Sequence, residues 1–134
     1  MAVERHGSGV PFETSVGYSR VVRAGRLVEV AGCTATGPDG ALVGIDDAGA
    51  QARQALKNVV AALAQVGARP EDVLRTRIYV TDIASWEAVG AAHGAVFADI
   101  RPVATMIEVS ALIDPRMLVE IEATAYLEAP APRS

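Results

Sequence analysis

The chain has one cysteine, two histidines and no long apolar run. Each shortage closes off a class of protein. Cys33 alone cannot form an intrachain disulfide, and a reducing compartment fits. Two histidines and one cysteine without paired ligand spacing make no metal set, so no metal and no cofactor are expected. No glycine-rich loop of the phosphate-cradling kind precedes a helical stretch. No run of 18 apolar residues exists, so nothing is expected to cross or bind a membrane. The opening MAVERHGSGV lacks an apolar core of signal-peptide length, and a cytoplasmic protein is expected. Positive charge is also scarce: 12 Lys and Arg stand against 16 Asp and Glu, a formal net charge of -4. A nucleic-acid binder normally carries a basic stripe, so no such partner is expected. Internal repeats are absent.

What is abundant is apolar character. Of 134 residues, 51% are hydrophobic, and the mean hydropathy is +0.27. The length suits a single domain over residues 1–128, with a Pro-rich, disordered tail at 129–134. Small domains bury a limited share of their surface. The apolar excess therefore points to a subunit interface, against the plainer reading of an alanine-rich chain.

Periodicity supplies the elements. Residues 19–24 and 27–32 are β-branched runs around Gly25-Arg26, a hairpin signature. Residues 36–40, TGPDG, form a turn-rich loop. Residues 45–66 carry Ala48, Ala52, Ala55, Leu56, Val59, Val60, Leu63 and Val66 at helical spacing. Asp46 and Asp47 suit the positive end of that helix, and Gly67 its C-terminal cap. Residues 73–80 read as a strand, with Leu74, Thr76, Ile78 and Val80 on one face and Arg75, Arg77 and Tyr79 on the other. Asp82 can cap a second helix whose apolar face is Trp86, Val89, His93, Val96 and Phe97. Strands at 104–109 and 118–126 follow. The order ββ-α-β-α-ββ predicts an α+β sandwich, a mixed sheet with two helices on one face. No third layer remains to cover the other face, and a partner subunit is the economical cover.

The stretch from Arg101 to Ala123, RPVATMIEVSALIDPRMLVEIEA, carries acids on one face of each of two strands. With Gly17-Tyr18, the VEVAG strand and the central AGAQARQALKNVVAALAQVGARPEDVLRTRIYVTDIASW, it resembles the RidA/YjgF family over nearly the whole chain. The resemblance implies a chorismate-mutase-like fold, a homotrimer, and active pockets between subunits that hydrolyse reactive enamines and imines. It implies that Glu120 positions the attacking water and that Tyr18 lines the pocket. The region of Gly32 and Cys33 would supply backbone groups. The arginine that holds the carboxylate of a 2-imino acid in this family maps onto Ala104. The small residue two places later maps onto Met106, and a pocket asparagine onto Gly90. A methyl group cannot make the two-bond contact of a guanidinium, whose loss removes about 1.5–3 kcal/mol of binding. Arg20, Arg23 and Arg101 are the alternative cations, or are solvated or interfacial.

Other residues have bland readings beside functional ones. Glu120, Glu122 and Thr124 share a strand face, wet in a monomer but close to a neighbour in a trimer. Glu108 shares a face with Ala104 and Met106, as a second pocket acid or an interface charge. Cys33 without a neighbouring base is an inert thiol rather than a nucleophile. His93 is a satisfied core or interface histidine, or a pocket acid/base. Trp86 packs, or walls the pocket.

The sequence thus predicts a hydrolase or deaminase for an enamine, imine or related activated small molecule, and not for an ordinary 2-imino acid. The other reading is a non-catalytic trimeric module that binds a small molecule or protects a partner. A ribonuclease fits poorly, because no paired acid/base histidines are present.

Overall fold

The computed structural model describes residues 2–128, so the expected tail at 129–134 lies outside them. Six strands and two helices follow one another: β1 (Val3–His6), β2 (Val21–Ala24), β3 (Leu27–Cys33), α1 (Ala48–Gln65), β4 (Val73–Val80), α2 (Trp86–Phe97), β5 (Val103–Glu108) and β6 (Val119–Tyr126). They form one sheet in the order β1-β2-β3-β6-β4-β5. Only β4 and β5 run parallel, which requires the crossover that α2 provides. The mixed sheet with two helices on one face is the expected α+β sandwich.

The hairpin of β2 and β3 forms where the sequence predicts it. Gly25 takes a φ of 62°, the left-handed conformation this two-residue turn demands. α1 is shorter than expected at its start. Asp46 adopts a φ of 62° and stands outside, while the Asp47 carboxylate accepts a hydrogen bond from Ala50 N at 3.0 Å and caps the helix. At the other end Gly67 N–H donates to Ala64 O and Ala68 N–H to Leu63 O, a Schellman closure. Ala52, Ala55, Leu56, Val59 and Leu63 seal against Val28, Val30, Ile78, Val119 and Ile121 of the sheet.

Four readings need correction. β1 is an additional strand, unread because VERH has no apolar alternation. Main-chain pairing with β2 defines it, and its charges suit an edge. Leu74 does not join Thr76, Ile78 and Val80, because a bulge between Val73 and Arg75 gives its inward place to Val73. Leu74 is left 55% exposed. Trp86 opens α2 but is also exposed, so Val89, Ala92 and Phe97 form the buried face. Asp82 caps the short 3-10 turn Ile83–Ser85 ahead of α2 rather than α2 itself.

Helices cover one face of the sheet and leave the other open. On the open face lie Glu29, Glu120, Glu122, Tyr79 and Arg77, together with the exposed apolar side chains of Leu27, Val103, Ile107 and Tyr126.

Candidate active site

Register decides what the open face presents. A bulge in β3 lets both Val30 and Cys33 point into the core, opposite Ala123 and Ile121 of β6. Ala31 and Gly32 are thereby displaced toward the open face. There the Glu120 side chain lies directly over Gly32: a methyl group added to Gly32 would sit 2.0 Å from Glu120 Oε1. Gly32 has an ordinary φ, so it is needed for space rather than for backbone freedom.

Arg20 reaches the same place from the residue before β2. Its Nη1 donates to Gly32 O at 2.5 Å and lies 3.5 Å from Cys33 Sγ. Its Nη2 donates to the Tyr18 hydroxyl at 3.3 Å, and its Nε lies 3.5 Å from Glu13 Oε2. Tyr18, Gly32, Cys33 and Glu120, four of the expected site residues, are therefore gathered on one protomer around Arg20.

The electrostatics follow from that crowding. Burial pushes the Glu120 carboxyl up; Arg20 opposes this and Glu122 adds to it. Among the described residues Glu120 accepts no hydrogen bond, and it lines an open hollow of about 300 Å³. Gly32, Tyr79, Val109, Ala111, Leu112, Glu120 and Glu122 line that hollow. The Tyr79 hydroxyl donates to Glu122. That bond, burial and the Glu122 charge hold the phenol above its usual range. Burial also raises the Cys33 thiol, against the pull of Arg20. It is buried and protonated at neutral pH, the inert reading of this cysteine.

Several candidates are occupied elsewhere. His93 Nε2 lies 2.8 Å from the hydroxyl of fully buried Thr76, and its ring packs 4.7 Å from that of Phe97. Burial lowers its pKa, and it is a half-buried histidine satisfied by Thr76. Glu108 accepts a hydrogen bond from Ile83 N at 3.0 Å and fastens the 3-10 turn. Arg23 is buried on Val66 O and Gly25 O, and Arg101 bonds Ala98 O. Ala104 and Met106 pair with Thr76 and Ile78, which puts them on the helix-bearing side of the sheet, opposite Glu120. Met106 packs on the core and Ala104 is exposed. One protomer thus separates Ala104, Met106 and exposed Trp86 from the Glu120 cluster. Among the described residues no group of three or more His, Cys, Asp or Glu side chains could hold a metal ion.

Sequence reading missed Glu13 and Tyr79 as neighbours of the site, and read Glu122 only as sharing the face of Glu120. The alternation of β4 had placed Tyr79 on the polar face, but only the pairing of Tyr79 with Glu120 brings it to the hollow.

A family model described as Endoribonuclease L-PSP matches residues 10–127. The chain belongs to the RidA/YjgF family. A Mycobacterium tuberculosis member of the YjgF/YER057c/UK114 family superposes with a TM-score of 0.86 at 52% identity, over 94% of this chain and all of that one. A Streptomyces coelicolor protein is 42% identical over 125 residues, 93% of this chain and 92% of its own. The 3-aminoacrylate deaminase RutC of Acinetobacter baylyi is 27% identical over 110 residues, 82% of this chain and 86% of its own. The family thus includes a deaminase alongside members described as endoribonucleases.

Proposed function

We propose that the chain forms a homotrimer that hydrolyses an enamine, imine or related activated metabolite in pockets between subunits. The observation that carries this reading is the Glu120 carboxylate, raised in pKa and without a hydrogen bond among the described residues, at the edge of the hollow. Such a group suits a general base. Glu120 takes a proton from water as the water oxygen bonds to the C=N carbon. Return of that proton to nitrogen gives a carbinolamine; Glu120 then takes the hydroxyl proton and passes it to the same nitrogen as the C=O bond forms and the C–N bond breaks, so the amine or ammonia leaves. Tyr18, held by Arg20, shapes the site, and Gly32 gives Glu120 its room.

Two features argue against an ordinary 2-imino acid. Ala104 stands where the family resemblance puts the carboxylate-binding arginine. The hollow itself is lined by two acids, Glu120 and Glu122, which repel a carboxylate. The same acids disfavour RNA, and His93 is committed to Thr76. A non-catalytic binding module is the second reading, favoured by the alanine at 104.

The trimer is tested by light scattering at micromolar concentration. The uncovered apolar residues of the open face call for a partner, and the family resemblance makes it a trimer, so a species three times the protomer's 13.9 kDa is expected. A 13.9 kDa species would remove the shared pocket.

Activity is tested by generating imines in place with an amine or amino-acid oxidase and trapping them with semicarbazide. The protein should outcompete the trap for carboxylate-free imines and leave 2-imino acids to it, while Ala104→Arg should gain on the latter. Clear competition by the natural protein for 2-imino acids would mean that another group holds the carboxylate. Silence on both substrate kinds would move the binding module to first place.

A further inference from the structure

Arg20 is the cation nearest the site in the fold, yet its donors are largely committed. Nη1 serves Gly32 O, Nη2 serves Tyr18, and Nε faces Glu13. The guanidinium also lies 5.6 Å from the Tyr18 ring centre. An arginine tied on three sides is a poor grip for an incoming carboxylate and a good fixed charge. Its counter-ion is just as firmly held: Ser8 N donates to both Glu13 oxygens, at 2.9 and 3.1 Å, and Ser8 Oγ to one of them at 2.6 Å. Nothing about water activation by Glu120 requires this second acid. It sits behind Arg20, on the segment that precedes β2.

We propose that Glu13 and Arg20 act as a positioning pair for the site: Arg20 pins the Gly32 carbonyl and the Tyr18 hydroxyl beside Glu120, and Glu13 sets how much of Arg20's charge that carboxylate feels. Glu120 is thus one of two acids sharing one cation. The other groups around it are Cys33 from β3, Glu122 on its own strand and Tyr79 from β4, with Arg77 acting on Tyr79. Cys33 is neutral and Tyr79 is bound to Glu122, so neither replaces Arg20.

The inference rests on the proposed role of Glu120, but its test does not need turnover. The Glu120 carboxyl carbon is followed by NMR through a pH titration of glutamate-labelled protein, parent and variants. Arg20→Gln removes the cation, and the Glu120 midpoint should move up. Glu13→Gln removes the competing acid, and the midpoint should move down. Arg20→Lys keeps the charge, and the midpoint should stay near that of the parent. Shifts of one sign in both glutamine variants, or no shift in either, would overturn the pair. If Arg20→Gln does not fold, the downward shift in Glu13→Gln and the unmoved Arg20→Lys carry the test. With a substrate in hand, the acid limb of the pH–rate profile should follow the same signs. Titration shifts without any turnover would leave the pair standing and sink the hydrolase instead.

Discussion

Glu120→Gln should lower turnover by about 100-fold or more while leaving the fold intact and ligand binding largely retained. Gln keeps the shape of the side chain but cannot accept a proton from water. The same change should not destabilise the protein. Burial raises the Glu120 carboxyl above its reference value of 4.5 in the folded state. Below 4.5 the group is neutral in both states and costs nothing. As pH rises from 4.5 through the raised folded value, the unfolded chain ionises more readily and stability falls. At neutral pH the ionised Glu120 is therefore a small burden that Gln removes. Solvent still screens it, so the gain is at most about 0.5 kcal/mol. Activity runs the opposite way and rises with pH through that folded value, because the base must be ionised. Gly32→Ala is the companion change. Its methyl group would sit 2.0 Å from Glu120 Oε1, the far end of a flexible side chain, so the carboxylate swings aside and the fold survives. Turnover should drop with little change in the unfolding midpoint. A Glu120→Gln protein with parental turnover would remove Glu120 from the mechanism, and the binding module would become the better reading.

How far the sequence reached can be read residue by residue. Both helices, the hairpin and the strand at Val73–Val80 were legible because hydrophobic spacing and turn residues agreed there. The exposed Leu74 and the displaced Gly32 were not, because both depend on bulges. A strict period of two cannot show a bulge, and one extra residue reverses which side chains face inward. β1 escaped because an edge strand needs only backbone pairing. At the site, Tyr18, Gly32 and Glu120 came from the family resemblance, and the fold brought them to one face. Cys33 and His93 had been read by default as an inert thiol and a satisfied histidine, and the raised Cys33 and lowered His93 pKa values that burial causes could be seen only in the fold. Arg20 was visible only as one of several possible cations. Its selection over Arg23 and Arg101 depends on the fold, which sets Arg20 against Gly32 and Tyr18 while those two are tied to carbonyls elsewhere.

Gln51 was hidden for a related reason, and it bears the largest expected effect on stability. It lies three residues after Ala48 and four before Ala55, on the apolar stripe of α1, and is fully buried. Its Nε2 donates to Gly44 O at 3.1 Å and to Arg116 O at 2.9 Å, while its Oε1 accepts from Leu118 N at 2.8 Å. One amide thus joins the loop entering α1 to the loop entering β6. Gln51→Leu fills much the same volume but leaves three main-chain groups without their partner. Each costs about 1–3 kcal/mol where water cannot enter, and a total loss of about 3 kcal/mol is expected in urea unfolding. Gln51→Glu should be worse at neutral pH, since a carboxylate would face two carbonyl oxygens, and should recover partly on acidification as it gains a proton. The consequence extends to the site, because Leu118 precedes Glu120 by two residues. Between them stands only Val119, which is fully buried and pairs with Val80 as Glu120 pairs with Tyr79. A loosened Leu118 should therefore cost turnover as well as stability, even under conditions where Gln51→Leu remains folded. An unfolding midpoint equal to that of the parent would show that water replaces the amide and that the two loops are held by other contacts.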